Sequence, residues 1–187
     1  MSVKIIDDCC SPMYLDCLKE VAISSDNWNL MFPPKDSIED RFLKLNIIDG
    51  SGIIHPFLAG LAIGLLYQIY ESAGEDFFLP EPILWCGISM KDKHTSDNIH
   101  TDNEKDKDFV KILGLLNSDW EEEWGGGFFH NGTSNYIEPT SFCIFDPSEE
   151  HMAEEIFTDK KRFAIDFTVC RNQQSFNKVM ENIKKMK

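Results

Sequence analysis

Five histidines, at 55, 94, 100, 130 and 151, are the side chains of this 187-residue chain best suited to hold a metal at neutral pH. His100-Thr101-Asp102 has the form His-x-Asp, and alternation along an extended segment turns both side chains to one face. Alone the pattern is commonplace, and a surface histidine in a polar loop explains it as well. Its setting adds weight. His100 follows a β-like apolar run, and His151 lies in a loop after the run that ends at Phe145. Two imidazoles and one carboxylate, brought from two places in a β fold, make a metal site with open positions on one side. Such a site suits redox chemistry in which a chelating cosubstrate and O2 must both reach the metal.

The elements that must carry these groups follow from the apolar pattern. Ser11-Pro12 reads as a helix start, a capping hydroxyl before a proline, with Tyr14, Cys17, Leu18 and Val21 at helical spacing. A second helix is expected from Pro56 to about Ser72, with Gly74 beyond its end. It is apolar nearly all round, which predicts burial between other elements. After Pro80-Glu81-Pro82 come short apolar runs separated by turn residues. They predict strands over Ile83–Met90, Phe109–Leu116, Gly127–His130, Ser141–Phe145 and Arg162–Val169, hence an antiparallel sandwich or barrel. From Arg171 onward there are five basic residues and one acidic, with Phe176, Val179, Met180 and Ile183 on one helical face. This is read as a terminal helix docked on an acidic body. The expected organisation is one α+β domain over 1–187, mainly β in its core: a mostly helical support region over 1–80, a β core over 83–170 and a C-terminal helix over 171–187.

Composition narrows the function classes. Hydrophobic residues at 42% and charged residues at 27% exclude a disordered or fibrous chain. A net charge of -14 argues against nucleic acid as the partner, because the surface repels phosphate backbones. Six cysteines, at 9, 10, 17, 86, 143 and 170, contain no CxxC pair and read as reduced thiols of a cytoplasmic protein. Cys86 and Cys143, in predicted strands, read as packing residues. The N-terminus turns acidic before any long apolar stretch forms, unlike a signal peptide, and no stretch offers the ~20 apolar residues of a membrane span.

The block over residues 83–170 resembles the 2-oxoglutarate/Fe(II)-dependent dioxygenases, most closely their prolyl 4-hydroxylase-like group. The residues that carry the resemblance are His100-x-Asp102, Leu116-Asn117 with Trp120, Trp124-Gly125-Gly126-Gly127, Pro139 followed by Phe142 to Phe145, His151, and Arg162-Phe163-Ala164-Ile165, in that order. The resemblance implies a double-stranded β-helix (jelly-roll) core with flanking N-terminal helices and a C-terminal helix. It implies Fe(II) held by His100, Asp102 and His151, with 2-oxoglutarate and O2 as cosubstrates. Arg162, eleven residues after His151, matches the basic residue that grips the distal carboxylate of 2-oxoglutarate. Lys160 and Lys161 are rivals by distance, but Arg162 opens the apolar strand. The implied reaction hydroxylates a C–H bond, in a prolyl or other side chain of a protein or peptide or in a small metabolite, and releases succinate and CO2. A nucleic-acid demethylase of the same superfamily would carry a second arginine where Thr168 stands.

Two departures from the group's pattern bear on the cosubstrate. Tyrosines that help hold it are replaced, one by Leu115 and the other, on the first core strand, at Met90, so Arg162 or another hydroxyl such as Thr168 must carry more of the binding. If Arg162 points inward, alternation sends Ala164, Asp166 and Thr168 inward too. Asp166 is then expected beside the iron-side pocket, bonded to a ligand residue, a water or a cationic substrate group, with a bulge or an ion pair to a Lys or Arg as the alternative. A β-barrel metal-binding protein or a metal-dependent hydrolase without redox chemistry would use the same three ligands. Gly125–Gly127 lacks a strand-then-helix setting and reads as a tight turn rather than a phosphate loop. Glu121–Glu123 reads as a solvated acidic loop, and Trp120 as core.

Overall fold

The computed structural model describes residues 3–31, 42–74, 77–93, 95–102 and 107–185. Strands β1 (Lys4–Ile6), β2 (Asn29–Met31), β3 (Phe42–Asp49) and β4 (Gly52–Ile53) and helices α1 (Pro12–Ile23) and α2 (Pro56–Ala73) come first. They are followed by β5 (Ile83–Lys91), β6 (Phe109–Leu115), β7 (Phe128–His130), β8 (Thr133–Asn135), β9 (Phe142–Phe145), β10 (His151–Ala153), β11 (Arg162–Cys170) and α3 (Gln173–Lys185). One antiparallel sheet runs β1-β9-β6-β11-β5-β3-β2, with β4 on β3, and a three-stranded sheet runs β10-β7-β8. The two sheets enclose a cavity as a double-stranded β-helix, the expected jelly roll.

The large sheet has two different faces because its strands alternate. On one face Leu45, Ile47, Cys86, Ile88, Val110, Ile112, Ile165 and Phe167 are all fully buried, packed with Leu15 and Leu18 of α1 and Leu65, Leu66 and Ile69 of α2. Each such side chain contributes about 1.5–3 kcal/mol of burial free energy. The helices form where the pattern places them. The Ser11 side chain accepts from the Tyr14 N–H with Pro12 in the first turn, and Gly74 ends α2 with its N–H bonded to Tyr70 O. Trp120, Cys86 and Cys143 are buried, and all six cysteines are free thiols. Among the described residues no helix is long and apolar enough to cross a membrane.

Residues 1–80 hold the two helices α1 and α2 and also supply four strands, of which β3 is internal, between β5 and β2. Its run Phe-Leu-Lys-Leu-Asn-Ile-Ile mixes polar residues into apolar ones and only pairing with β5 resolves it as a strand. His151 is not in a loop but opens β10, where it pairs with His130 of β7. The C-terminal helix docks through charge, with Lys178 Nζ at 2.8 and 2.9 Å from the Asp108 carboxylate, while Ile183 stays 42% exposed.

Candidate metal centre

The other face of the large sheet looks into a cavity of about 500 Å³, within the usual range for a ligand site. His100, Asp102 and His151 lie on its wall, their ligand atoms all within 4.8 Å of one another. Backbone bonds set this geometry. His100 N–H donates to His151 O at 3.1 Å, and His151 N–H donates to His100 O at 2.9 Å. Asp102 N–H donates to Pro147 O at 2.9 Å. The His100 Nδ1 lies 2.8 Å from Asn98 O and the His151 Nδ1 2.9 Å from Glu149 O. Both Nε2 atoms are thereby turned to the Asp102 carboxylate, at 3.7 Å from Oδ1 for His100 and 3.3 Å from Oδ2 for His151. This carbonyl-tethered arrangement is how metal-ligating imidazoles are commonly oriented.

Asp102 has a second neighbour that sequence reading missed. Lys111 of β6 places its Nζ 2.8 Å from Asp102 Oδ2 and 3.0 Å from Asp166 Oδ2. Burial alone would raise the Asp102 carboxyl, but the His151 hydrogen bond and the charge of Lys111 outweigh it and hold it well below the usual carboxylate range. Burial would likewise lower Lys111, yet Asp166 and Asp102 hold its ammonium above the ordinary lysine value. Asp166 does face the cavity, as alternation requires. Its partner is Lys111, which is the ion-pair alternative. A lysine as the only charge within the run Phe109–Leu116 was the available signal.

Arg162 is 3% exposed and lines the same cavity, whereas Lys160 pairs with Asp119 at the surface and Lys161 is exposed. Asn117 explains this placement. Its Nδ2 donates to Lys161 O at 3.0 Å and its Oδ1 accepts from Phe163 N–H at 2.7 Å, which pins the start of β11. Gly126, at φ 70°, makes the room: a Cβ there would fall 2.8 Å from Arg162 Cδ and 3.0 Å from its Nε. Buried Arg162 Nε has no hydrogen-bond partner among the described residues. Burial pushes the guanidinium down to about 10, offset only in part by the charge of Asp97. It stays cationic at neutral pH. A buried, unpaired cation is costly unless an anion meets it.

The hydroxyl expectations come out differently. Met90 packs on the apolar core, and Ser89 and Lys91 of β5 face the cavity instead. Leu115 packs with Trp120, Ile156 and Ala164. Thr168 is not among the cavity residues, although it pairs in register with Trp85, which is. Lys91 is buried and ion-paired with Asp97.

The sequence matches no protein-family model and no curated protein. Solved structures do resemble the fold. A prolyl-4-hydroxylase of Pseudomonas putida superposes with a TM-score of 0.61 at 16% identity, covering 91% of this chain and 92% of that one. The viral collagen prolyl hydroxylase of Paramecium Bursaria Chlorella virus-1, in its 2-oxoglutarate complex, gives 0.63 at 12% identity over 92% and 97%. HygX from Streptomyces hygroscopicus, with nickel, 2-oxoglutarate and hygromycin B bound, gives 0.64 at 11% over 91% and 83%. The chain therefore shares the fold of the 2-oxoglutarate/Fe(II) oxygenases, prolyl hydroxylases among them.

Proposed function

We propose that the protein is an Fe(II)- and 2-oxoglutarate-dependent dioxygenase that hydroxylates a C–H bond. The observation that carries this reading is the pairing, in one cavity, of a two-histidine, one-carboxylate cluster with a buried guanidinium that lacks a partner. The donor set suits iron with open positions, and the orphaned Arg162 suits a carboxylate. The cluster alone would also serve a metal-dependent hydrolase; the guanidinium beside it adds the seat for a carboxylate that the cosubstrate needs.

In this reading His100 Nε2, Asp102 and His151 Nε2 hold Fe(II), and Arg162 grips the distal carboxylate of 2-oxoglutarate. When bound, iron and cosubstrate supply the oxidising power, O2 being consumed as 2-oxoglutarate becomes succinate and CO2 and one oxygen enters the substrate C–H bond. The chain supplies orientation and a dry pocket. Lys111 steadies the Asp102 carboxylate and is itself held by Asp166. Leu113, Phe128, Phe145 and Ala164 form the apolar lining that keeps water from the reacting centre. The substrate is a prolyl or other side chain of a protein or peptide, or a small molecule. Prolyl hydroxylases among the similar structures support the first option, and HygX with hygromycin B bound supports the second. Six free thiols support a reducing, cytoplasmic setting.

Anaerobic Fe(II) titration and succinate release from 2-oxoglutarate test the proposal. The native protein should bind one Fe(II) and form succinate. His100→Ala, Asp102→Ala and His151→Ala should each lose both while keeping the native thermal midpoint. Unchanged iron affinity in all three, or no succinate from the native protein, would refute it.

A further inference from the structure

The cavity is a cationic place in an acidic chain: Lys44, Lys91, Lys111 and Arg162 line it against Asp97, Asp102 and Asp166. Pairing accounts for most of these charges. Lys91 is taken by Asp97, and Lys111 by Asp102 and Asp166. Arg162 is the group assigned above to the cosubstrate. Lys44 remains, half-buried, with no carboxylate in ion-pair range among the described residues. It is not a solvated surface lysine. Its Nζ lies 4.1 Å from the centroid of the Trp85 ring, and burial lowers its affinity for the proton, offset in part by the charge of Asp166. The ring is set for this contact. A Cβ at Gly87 would fall 2.5 Å from Trp85, so the missing side chain lets the indole lie against the sheet as a platform.

Arg162 and Lys44 stand on different strands of the cavity wall. Lys44 sits on β3, opposite Ser89 of β5, which in turn pairs with Ala164 of β11. The two cations thus belong to strands two places apart, roughly 10 Å across the sheet. Lys44 makes no direct ion pair with the carboxylates of the cavity wall, which leaves its ammonium open to an anion bound in the cavity.

We propose that Lys44, laid over Trp85, binds a carboxylate of the substrate, so that the enzyme acts on a small carboxylic acid. This deepens the oxygenase reading and rests on it. One ammonium without an arginine fork or a cradle of backbone N–H groups suits a monoanionic carboxylate rather than a phosphate, which takes more donors. Phe42 and Trp85 beside it offer flat apolar surface for the body of the acid.

Benzoate and benzamide, nearly identical in shape and different in charge, probe the subsite. Each is titrated calorimetrically into protein loaded with Fe(II) and 2-oxoglutarate without oxygen. Benzoate should bind at least about tenfold more tightly than benzamide. Lys44→Met, which keeps an apolar contact with Trp85, should shrink the ratio below about twofold. Lys44→Arg should preserve it, and 2-oxoglutarate affinity should be unchanged in both variants. Equal binding of acid and amide by the native protein, or a preference intact in Lys44→Met, overturns the proposal. Failure of the oxygenase reading would look different: 2-oxoglutarate would not bind the Fe(II)-loaded protein, and the acid–amide comparison on the metal-free protein would still judge Lys44.

Discussion

The two faces of the large sheet are made by the same strands and do opposite work. Along β11, Phe163, Ile165, Phe167 and Val169 point to the helices and are buried in the apolar core, while Arg162, Ala164 and Asp166 point to the cavity. On β6, Val110 and Ile112 are core, and Lys111 and Leu113 are cavity. A period of two separates stability from chemistry within single strands, so that neighbouring residues answer to different constraints. The apolar face can be tightly packed because it holds no charges. The charged face leaves Arg162 Nε without a partner among the described residues, as the proposed cosubstrate site requires.

The sharpest way to break this contrast is a truncation on the core face. Phe167→Ala should cost about 3–5 kcal/mol, as large aromatic deletions in a core do. That lowers the thermal midpoint by roughly 6–20 °C at ~2–4 °C per kcal/mol for a chain of this size. Calorimetry checks the midpoint, and Fe(II) affinity per folded molecule should stay native. Next to it in size is the cavity face. Arg162→Ala should raise the KM for 2-oxoglutarate by at least ~30-fold, the loss of about 2–5 kcal/mol for an unpaired desolvated carboxylate. Arg162→Lys should raise it much less, and neither should lower the thermal midpoint. Equal small effects of both on steady-state kinetics would move the role away from Arg162.

Asp166→Asn sharpens the comparison inside the charged face. It removes a negative charge near the metal cluster and leaves Lys111 leaning on Asp102 alone. Both changes weaken cation binding, so Fe(II) affinity should fall about tenfold, in the range seen when groups behind metal ligands are altered. An unchanged anaerobic titration would reduce Asp166 to a structural counter-ion. The smallest effect belongs to neither face. Ser11→Ala removes the hydroxyl that accepts from Tyr14 N–H and should cost about 1 kcal/mol of stability in a denaturant melt, with native iron and cosubstrate binding.

Much of this arrangement is legible in the sequence by itself. The five core strands, both N-terminal helices and the C-terminal helix follow from local periodicity and capping, which depend only on neighbours along the chain. His100, Asp102, His151 and Arg162 stand out through the ordered set of motifs that resembles the 2-oxoglutarate oxygenases, for no one of these residues is distinctive alone. Tertiary structure decided the rest. Whether Phe42–Asp49 is a strand depends on pairing with β5, whose residues lie some forty positions away. Whether Met90 or Ser89 faces the cavity depends on the phase of a strand, which a shift of one residue inverts. Lys44 and Lys111 look like solvated lysines until the sheet closes. Only then does Lys111 meet Asp102 and Asp166, and only then is Lys44 left over Trp85 without an anion, because charge pairing is a property of positions in space that no spacing along the chain encodes.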